Sequence, residues 1–474
     1  MKKIHTAISL IVIVSVVALI ACSSSNVNTT IASVVTLTEQ SSSNVNTAGT
    51  SQAIVISDVH FNPFYDATLF PSLVAADASQ WKSIFESSSI SKPSTWGEDS
   101  NYILFALALS SIKANLTSRS VVAIFPGDIL VHDFETRFYT LYGSNNEAAM
   151  RSFLCKTATF FAMEVRAHLG NIPVMFALGN NDSYEGDFKI ESNSPFLTDT
   201  AEPFYTYFLN GAADHNAFLG TYKTGGYYSA SPLGSNLLVI ALNSIFFSPN
   251  AASDTGGAAS AELEWLESAL ASAASAGQKV WLVTHIPTGA NISHNKDLID
   301  SGGHLSDAKM MWVDDYQKRF LNILTTYPDT VTMIFTGHTH MDEYRLPLGA
   351  LEVTQGISPV DGNNPAYKIF TFSDNTFSTT DYISFNYDLS RLSGQFDRYY
   401  NFSGLYSMNN ILGLSLKELF PLLRTDLGRQ GFYKGRYYSG HDSACPISDT
   451  NWPVYWCGIG KMSKQDYMDC VNGY

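Results

Sequence analysis

The 474-residue chain is 45% hydrophobic and only 15% charged, enough apolar material for a large packed core, which excludes wholesale disorder. Its 28 basic and 43 acidic side chains give a formal net charge of -15, which excludes a general basic surface for nucleic-acid duplexes or anionic lipid. Any phosphate-bearing substrate must be drawn in locally, for instance by bound cations, and at roughly 100–200 residues per domain the length accommodates two to four domains.

Met1-Lys2-Lys3 places positive charge ahead of an almost unbroken apolar run over 8–20, which leads into Leu19-Ile20-Ala21-Cys22. This is the layout of a secretory signal peptide, too short for a membrane span of about 20 apolar residues. Leu-Ile-Ala-Cys resembles the bacterial lipobox. That implies a lipoprotein signal peptide over 1–22, cut so that a lipidated Cys22 becomes the mature N-terminus, and an exported cell-envelope lipoprotein held at the membrane through its lipid alone. Residues 23–51 are rich in Ser, Asn, Thr and Val, and the heptad at 23–29 recurs at 41–47. A duplicated polar heptad cannot bury a face, so the segment reads as a flexible tether.

From Ala53 onward, short apolar runs rich in Val, Ile and Phe predict strands at 53–57, 121–125, 174–178, 237–242, 280–284, 331–335 and 369–372. Helical patterns lie between several of them. The clearest covers 260–276, with Ser260 as N-cap, Leu263, Leu266 and Leu270 on one face, and Gly277 as the stop. Strand–helix alternation predicts α/β layers and a main domain over 52–374. In the remaining stretch, 375–474, Tyr, Phe, Asn and Leu dominate. There 405–427 reads as helical with Pro421 interrupting it, so a smaller, mainly helical C-terminal region is expected to pack on the main domain.

Polar residues cluster just after the strands, where α/β sheets place their sites. The first strand is followed by Asp58-Val59-His60, the second by Gly127-Asp128 and His132-Asp133, and the third by Gly179-Asn180-Asn181-Asp182. Two later strands are followed by His285-Ile286-Pro287 and Gly337-His338-Thr339-His340. Imidazole and carboxylate together suit Zn, Fe or Mn rather than Mg or Ca. Asp58 and His60 can share one ion, and a central Asp128 can bridge two ions about 3.5–4 Å apart. The glycines before Asp128, Asn180 and His338 allow close backbone approach.

The ordered set Asp-x-His, Gly-Asp, Gly-Asn, His-x-Pro, Gly-His-x-His resembles the calcineurin-like metallophosphoesterase superfamily. Within it, Gly127 to Asp133, together with Tyr455-Trp456-Cys457-Gly458-Ile459, Asp466-Tyr467 and Cys470, resembles the acid sphingomyelinase and sphingomyelinase-like phosphodiesterase branch. The resemblance implies a β-sandwich of two mixed sheets flanked by helices. It implies that Asp58, His60 and His340 bind one divalent metal, that Asn180, His285 and His338 bind another, and that Asp128 bridges them with a water or hydroxide between. Zinc is the expected metal, with Fe or Mn as alternatives. It also implies a disulfide between Cys457 and Cys470, while Cys155 and Cys445 either pair or stay reduced.

Where the superfamily often has His after Gly-Asn, this chain has Asn181, which cannot act as an acid. In the resembled sphingomyelinase branch the His of Gly-Asp-x-x-x-His lies near the leaving group, and His132 fills that position, so the resemblance implies His132 as the catalytic proton donor and leaves substrate contact to Asn181; the alternative for His132 is to orient a ligand. His168, His215, His294, His304 and His441 read as surface or packing residues, although His294 or His304 could line the cleft. The C-terminal tyrosines could hold a base or acyl chain, or simply pack. The expected activity is hydrolysis of phosphodiester or phosphoanhydride bonds in small soluble, nucleotide-like molecules, since no saposin-type domain stands before residue 53. The alternatives are sphingomyelin, polyphosphate, and a non-catalytic surface lipoprotein. No basic run favours polyphosphate, and a filled ligand set argues against a dead fold.

Overall fold

The structure is a computed structural model describing residues 49–252, 256–391, 394–441 and 447–474. The expected leader 1–22, with Cys22, lies outside the described residues, as do Cys445 and the tether up to residue 48.

In chain order the strands are β1 (Thr50–Val55), β2 (Ser120–Phe125), β3 (Val174–Phe176), β4 (Tyr228–Ala230), β5 (Leu237–Ala241) and β6 (Lys279–Val283). They continue with β7 (Val331–Thr336), β8 (Glu343–Arg345), β9 (Leu351–Val353), β10 (Ala366–Ser373), β11 (Thr379–Asn386) and β12 (Asp397–Asn401). One sheet has the order β12-β11-β10-β1-β2-β3 and the other β4-β5-β6-β7-β9-β8. Both are mixed. β1, β2 and β3 run parallel while β10 lies antiparallel to β1, and β5, β6 and β7 run parallel while β4 is antiparallel to β5. This is the metallophosphoesterase sandwich, with helices outside it. All seven expected strands are present.

The runs of β-branched and aromatic residues are continuous because both faces of the parallel strands are covered. Between the sheets, Trp281 of β6 is fully buried. It meets Phe335 of β7 and Phe372 of β10 edge to face, at centroid distances of 5.5 and 4.9 Å. Its indole N–H donates to Phe377 O at 2.8 Å, so a large ring is buried with its one polar atom satisfied. On the outer face, Phe61, Phe105 and Phe160 form part of an aromatic layer under the long helix Glu147–Leu169.

Three local expectations change. The helix expected from Ser260 begins at Gly256 and ends at Ser275, because Gly256 to Ala259 extend it upstream. The single helix expected over 405–427 is three: Phe402–Tyr406, Leu412–Thr425 and Leu427–Arg436. Left-handed Ser407 ends the first, and Asp426 caps the third through Gly428 N and Arg429 N. Pro421 sits inside the second without ending it. Pro421 and Lys417 are both exposed, so the Lys417 carbonyl that loses its partner faces water.

The described residues form one compact unit, and the boundary expected at 374 falls in the hairpin between β10 and β11. The C-terminal region is still mainly helical. Its last two helices, Trp452–Gly460 and Lys464–Asn472, are joined by the Cys457–Cys470 disulfide, with a Cα–Cα distance of 5.9 Å. No helix among the described residues is long and apolar enough to cross a membrane.

Candidate active site

The C-terminal ends of β1, β2 and β3 from one sheet and of β6 and β7 from the other deliver the seven expected donors. Beyond the strands the loops stay zipped together: Asp58 N donates to Gly127 O at 3.0 Å and His60 N to Asp128 O at 3.0 Å. Five of the seven donors adopt left-handed backbone, with φ of 49° at Asp58, 43° at His60, 59° at Asp128, 75° at His338 and 62° at His340. Non-glycine residues rarely sit there, and such strain, about 1–3 kcal/mol each, persists where surroundings over-determine it. The glycines before the donors provide space. A Cβ at Gly179 would lie 2.1 Å from Asp128 Oδ1, and one at Gly337 would lie 2.5 Å from Asp58 Oδ2.

The donors converge on Asp128. Its Oδ2 is 3.2 Å from both His60 Nε2 and His285 Nε2. On one side, His60 Nε2 faces His340 Nε2 at 3.1 Å, and His340 Nε2 lies 3.5 Å from Asp58 Oδ1. On the other, Asn180 Oδ1 lies 2.8 Å from His285 Nε2 and 2.8 Å from His338 Nδ1. Asp58, His60, Asp128, His285 and His340 are at most 2% exposed, Asn180 is 6% exposed, and His338 is half-buried at the mouth. Asp58 also accepts from His338 N at 2.9 Å, tying the two sheets together.

This arrangement fits cations. His60 Nδ1 donates to Leu130 O and His285 Nδ1 to Pro126 O, and His340 Nδ1 faces Ser358 O. In those tautomers each Nε2 carries a lone pair, and the lone pairs point at one another and at carboxylate and amide oxygens. Asp58 Oδ2 is buried without a hydrogen-bond partner. Acceptors crowded in this way need either protons or metal ions between them. Without metal, burial opposes charge on His60 and His285, but the Asp128 carboxylate outweighs it and raises them to about 10 and about 9. Burial also opposes the Asp128 carboxylate, yet His285 and His60 hold it well below the usual range. Burial and His285 lower His338 to about 3, which keeps its ring neutral. The donor set Asp, His and Asn suits two borderline ions such as Zn, Fe or Mn.

Several further residues support the donors. Buried Asp182 accepts from the backbone N–H groups of Asp128, Ile129, Leu130 and Gly179 at 2.8–3.2 Å, welding the loop after β2 to the loop after β3. Burial and the neighbouring Asp128 raise its carboxyl to about 6. Asp187 accepts from Asn180 Nδ2 at 2.7 Å, which turns Asn180 Oδ1 toward the histidines. Asp99, 4% exposed, lies 2.8 Å from His132 Nδ1, and Arg137 approaches its other oxygen at 3.7 Å. Burial works against the Asp99 carboxylate, but the His132 hydrogen bond and nearby cations keep it below the usual range. The His132 ring stacks on His60 at 4.1 Å and is partly open to solvent.

Asn181 was expected to touch substrate. Its backbone N–H and its Nδ2 both donate to Asp128, at 2.9 and 3.2 Å, so it orients the central carboxylate. His294 and His304 are exposed and do not line the cleft beside the cluster. His168 bonds back to Glu164 O, His215 pairs with Glu202, and His441 stacks on Trp96 at 3.8 Å, as packing or surface residues do. Cys155 forms no disulfide with a described residue.

Comparison with known proteins agrees with this geometry. The sequence model described as calcineurin-like phosphoesterase matches residues 52–342. The chain is 24% identical over 441 residues to the cyclic GMP-AMP phosphodiesterase SMPDL3A of Mus musculus, covering 88% of this chain and 91% of that protein. It is 23% identical over 356 residues to sphingomyelinase phosphodiesterase C of Dictyostelium discoideum, covering 69% and 74%. Among solved structures, a dimetal phosphatase from Danio rerio aligns with TM-score 0.40 and 12% identity over 70% of this chain and 95% of that one.

Proposed function

The chain belongs to the calcineurin-like phosphoesterase family, in its acid sphingomyelinase-like branch, and from that premise we propose that this metal-dependent phosphodiesterase hydrolyses small, soluble, nucleotide-like diesters or phosphoanhydrides. The observation that carries the reading is the convergence of seven donors on Asp128 at the mouth of a cleft. Asp58, His60 and His340 are assigned to one ion, Asn180, His285 and His338 to the other, and Asp128 to both. Two divalent cations, with Zn preferred, would supply charge neutralisation on the phosphoryl oxygens and a water acidic enough to react near neutral pH.

The chain's own groups do the rest. Asn181 and Asp182 fix Asp128 and its loop. Asp99 holds His132 by Nδ1, which leaves Nε2 as the atom able to deliver a proton to the departing oxygen. The cleft beside the cluster is lined by no lysine or arginine among the described residues, which disfavours a long polyanion. The name of the mouse relative supports a nucleotide substrate, and that of the Dictyostelium relative makes sphingomyelin the second reading. Export and anchoring through Cys22 complete the proposal, supported by the lipobox-like run; Cys22→Ala should release the protein from membranes.

The test is turnover of bis-p-nitrophenyl phosphate and a cyclic dinucleotide by metal-loaded protein. Asp128→Asn should lose more than the roughly 10–100-fold that outer partners of a metal site cost, along with bound metal. Wild-type turnover in that variant would end the assignment.

A further inference from the structure

The cleft that opens beside His338 has a chemistry of its own. Its volume is about 260 Å³. One wall is aromatic, formed by Tyr437, Tyr438 and Tyr455 from the C-terminal region. Tyr437 meets Tyr455 edge to face at 4.9 Å and Tyr438 at 5.3 Å, so the wall is rigid. Asp361 lines the same cleft. Its carboxylate is 54% exposed, with Oδ2 3.6 Å from His340 Nδ1. No lysine or arginine is among the residues lining the cleft.

These features restrict what can enter. An aromatic wall receives a flat ring. An ionised carboxylate only accepts hydrogen bonds, so it rewards an N–H and is opposed by a carbonyl oxygen or a second phosphate. We propose that Asp361 is a specificity-determining residue: the cleft receives the base of a nucleotide whose phosphate lies at the metal cluster, and Asp361 selects bases bearing an exocyclic amine. The proposal rests on the phosphodiesterase reading above. Adenine and unsubstituted purine make the discriminating pair, since they differ only in the exocyclic amine and both have an unprotonated N1.

The experiment uses full-length, metal-loaded protein and has two readouts. Binding of AMP and purine riboside monophosphate is measured by calorimetry, and release of p-nitrophenolate from the p-nitrophenyl esters of the two nucleotides is followed kinetically. Loss of a hydrogen bond to a charged group predicts AMP binding about 10–100-fold tighter than the unsubstituted purine nucleotide. The same ratio should appear in KM while kcat moves little, because the contact is remote from the reacting phosphorus. In Asp361→Asn the ratio should collapse toward one, since an amide can turn either its oxygen or its NH2 to the base.

Equal binding of AMP and purine riboside monophosphate by the wild-type protein would overturn the proposal, and so would a preference that survives in Asp361→Asn. Loss of bound metal in that variant would overturn it too, making Asp361 a support for His340. Discrimination in binding without turnover of either ester would instead defeat the phosphodiesterase reading and leave the base preference standing.

Discussion

Gly337→Ala tests the closeness of the two sheets at the metal cluster. A methyl there would come 2.2 Å from Ser57 Oγ and 2.5 Å from Asp58 Oδ2. Ser57 and Asp58 are both fully buried, and Asp58 is held by the hydrogen bond from His338 N. Non-bonded heavy atoms prefer roughly 3.5 Å or more, so about 1 Å must be yielded, and the groups that can yield are the Asp58 carboxylate and the β7 loop. Overpacking of this kind costs about 1–3 kcal/mol. Turning Asp58 away should also weaken the adjacent ion by roughly 10–100-fold, as perturbed support of a metal ligand does.

The assays are metal content per chain across a chelator titration, and thermal unfolding of the metal-free protein. The first should show early loss of one equivalent, and the second a drop of a few degrees. Gly349→Ala is the control, because a Cβ there meets nothing within 4 Å. If Gly337→Ala keeps wild-type metal retention, melting temperature and turnover, the steric argument fails and the approach of Asp58 to the β7 loop is looser than described.

Two further outcomes are expected. His132→Ala should slow alkyl phosphodiesters by about 10²-fold or more, but p-nitrophenyl esters much less, with metal content unchanged. Equal losses on both ester types would reduce His132 to a packing partner of His60. In metal-free protein, His60 at about 10 and His285 at about 9 lie above the unfolded value near 6.5, so both favour folding fully below about pH 6.5. That contribution is lost as pH rises through 9 to 10. Chelated protein should therefore lose melting temperature over this range and loaded protein should not, and identical profiles would count against the pairing with Asp128.

The parallel strands and their end motifs were legible because a strand covered on both faces must be continuously apolar, and the first polar residues after it stand where the sheet ends. Seven candidate donors, which the structure brings together, were read from five such junctions. Strands β4, β8, β9, β11 and β12 were not legible: three have three residues each, β11 reads Thr-Thr-Asp-Tyr-Ile-Ser-Phe-Asn with no continuous apolar run, and β12 reads Asp-Arg-Tyr-Tyr-Asn on a sheet edge. Asp99 was equally hidden, on an irregular loop 33 residues before the histidine it holds. The polarity of Asn181 was visible in the sequence, but its hydrogen bonds to Asp128 were not. Asp361 and the tyrosine wall lie on loops and helix ends whose convergence belongs to tertiary packing alone.

The pairing of β1 with β10 has a consequence for where the protein can be cut. Thr50 lies opposite Ser373, so the strand that supports Asp58 and His60 has its antiparallel neighbour more than 300 residues later. The matched family segment ends at residue 342, before β10 begins. A chain ending there would contain all seven donors yet leave β1 with an open edge of unpaired backbone. Such an edge on an apolar strand invites intermolecular pairing. The shortest segment able to stay monomeric therefore runs beyond the last metal donor. During synthesis the sandwich cannot close until β10 has emerged, and a fold dominated by such distant pairings forms slowly.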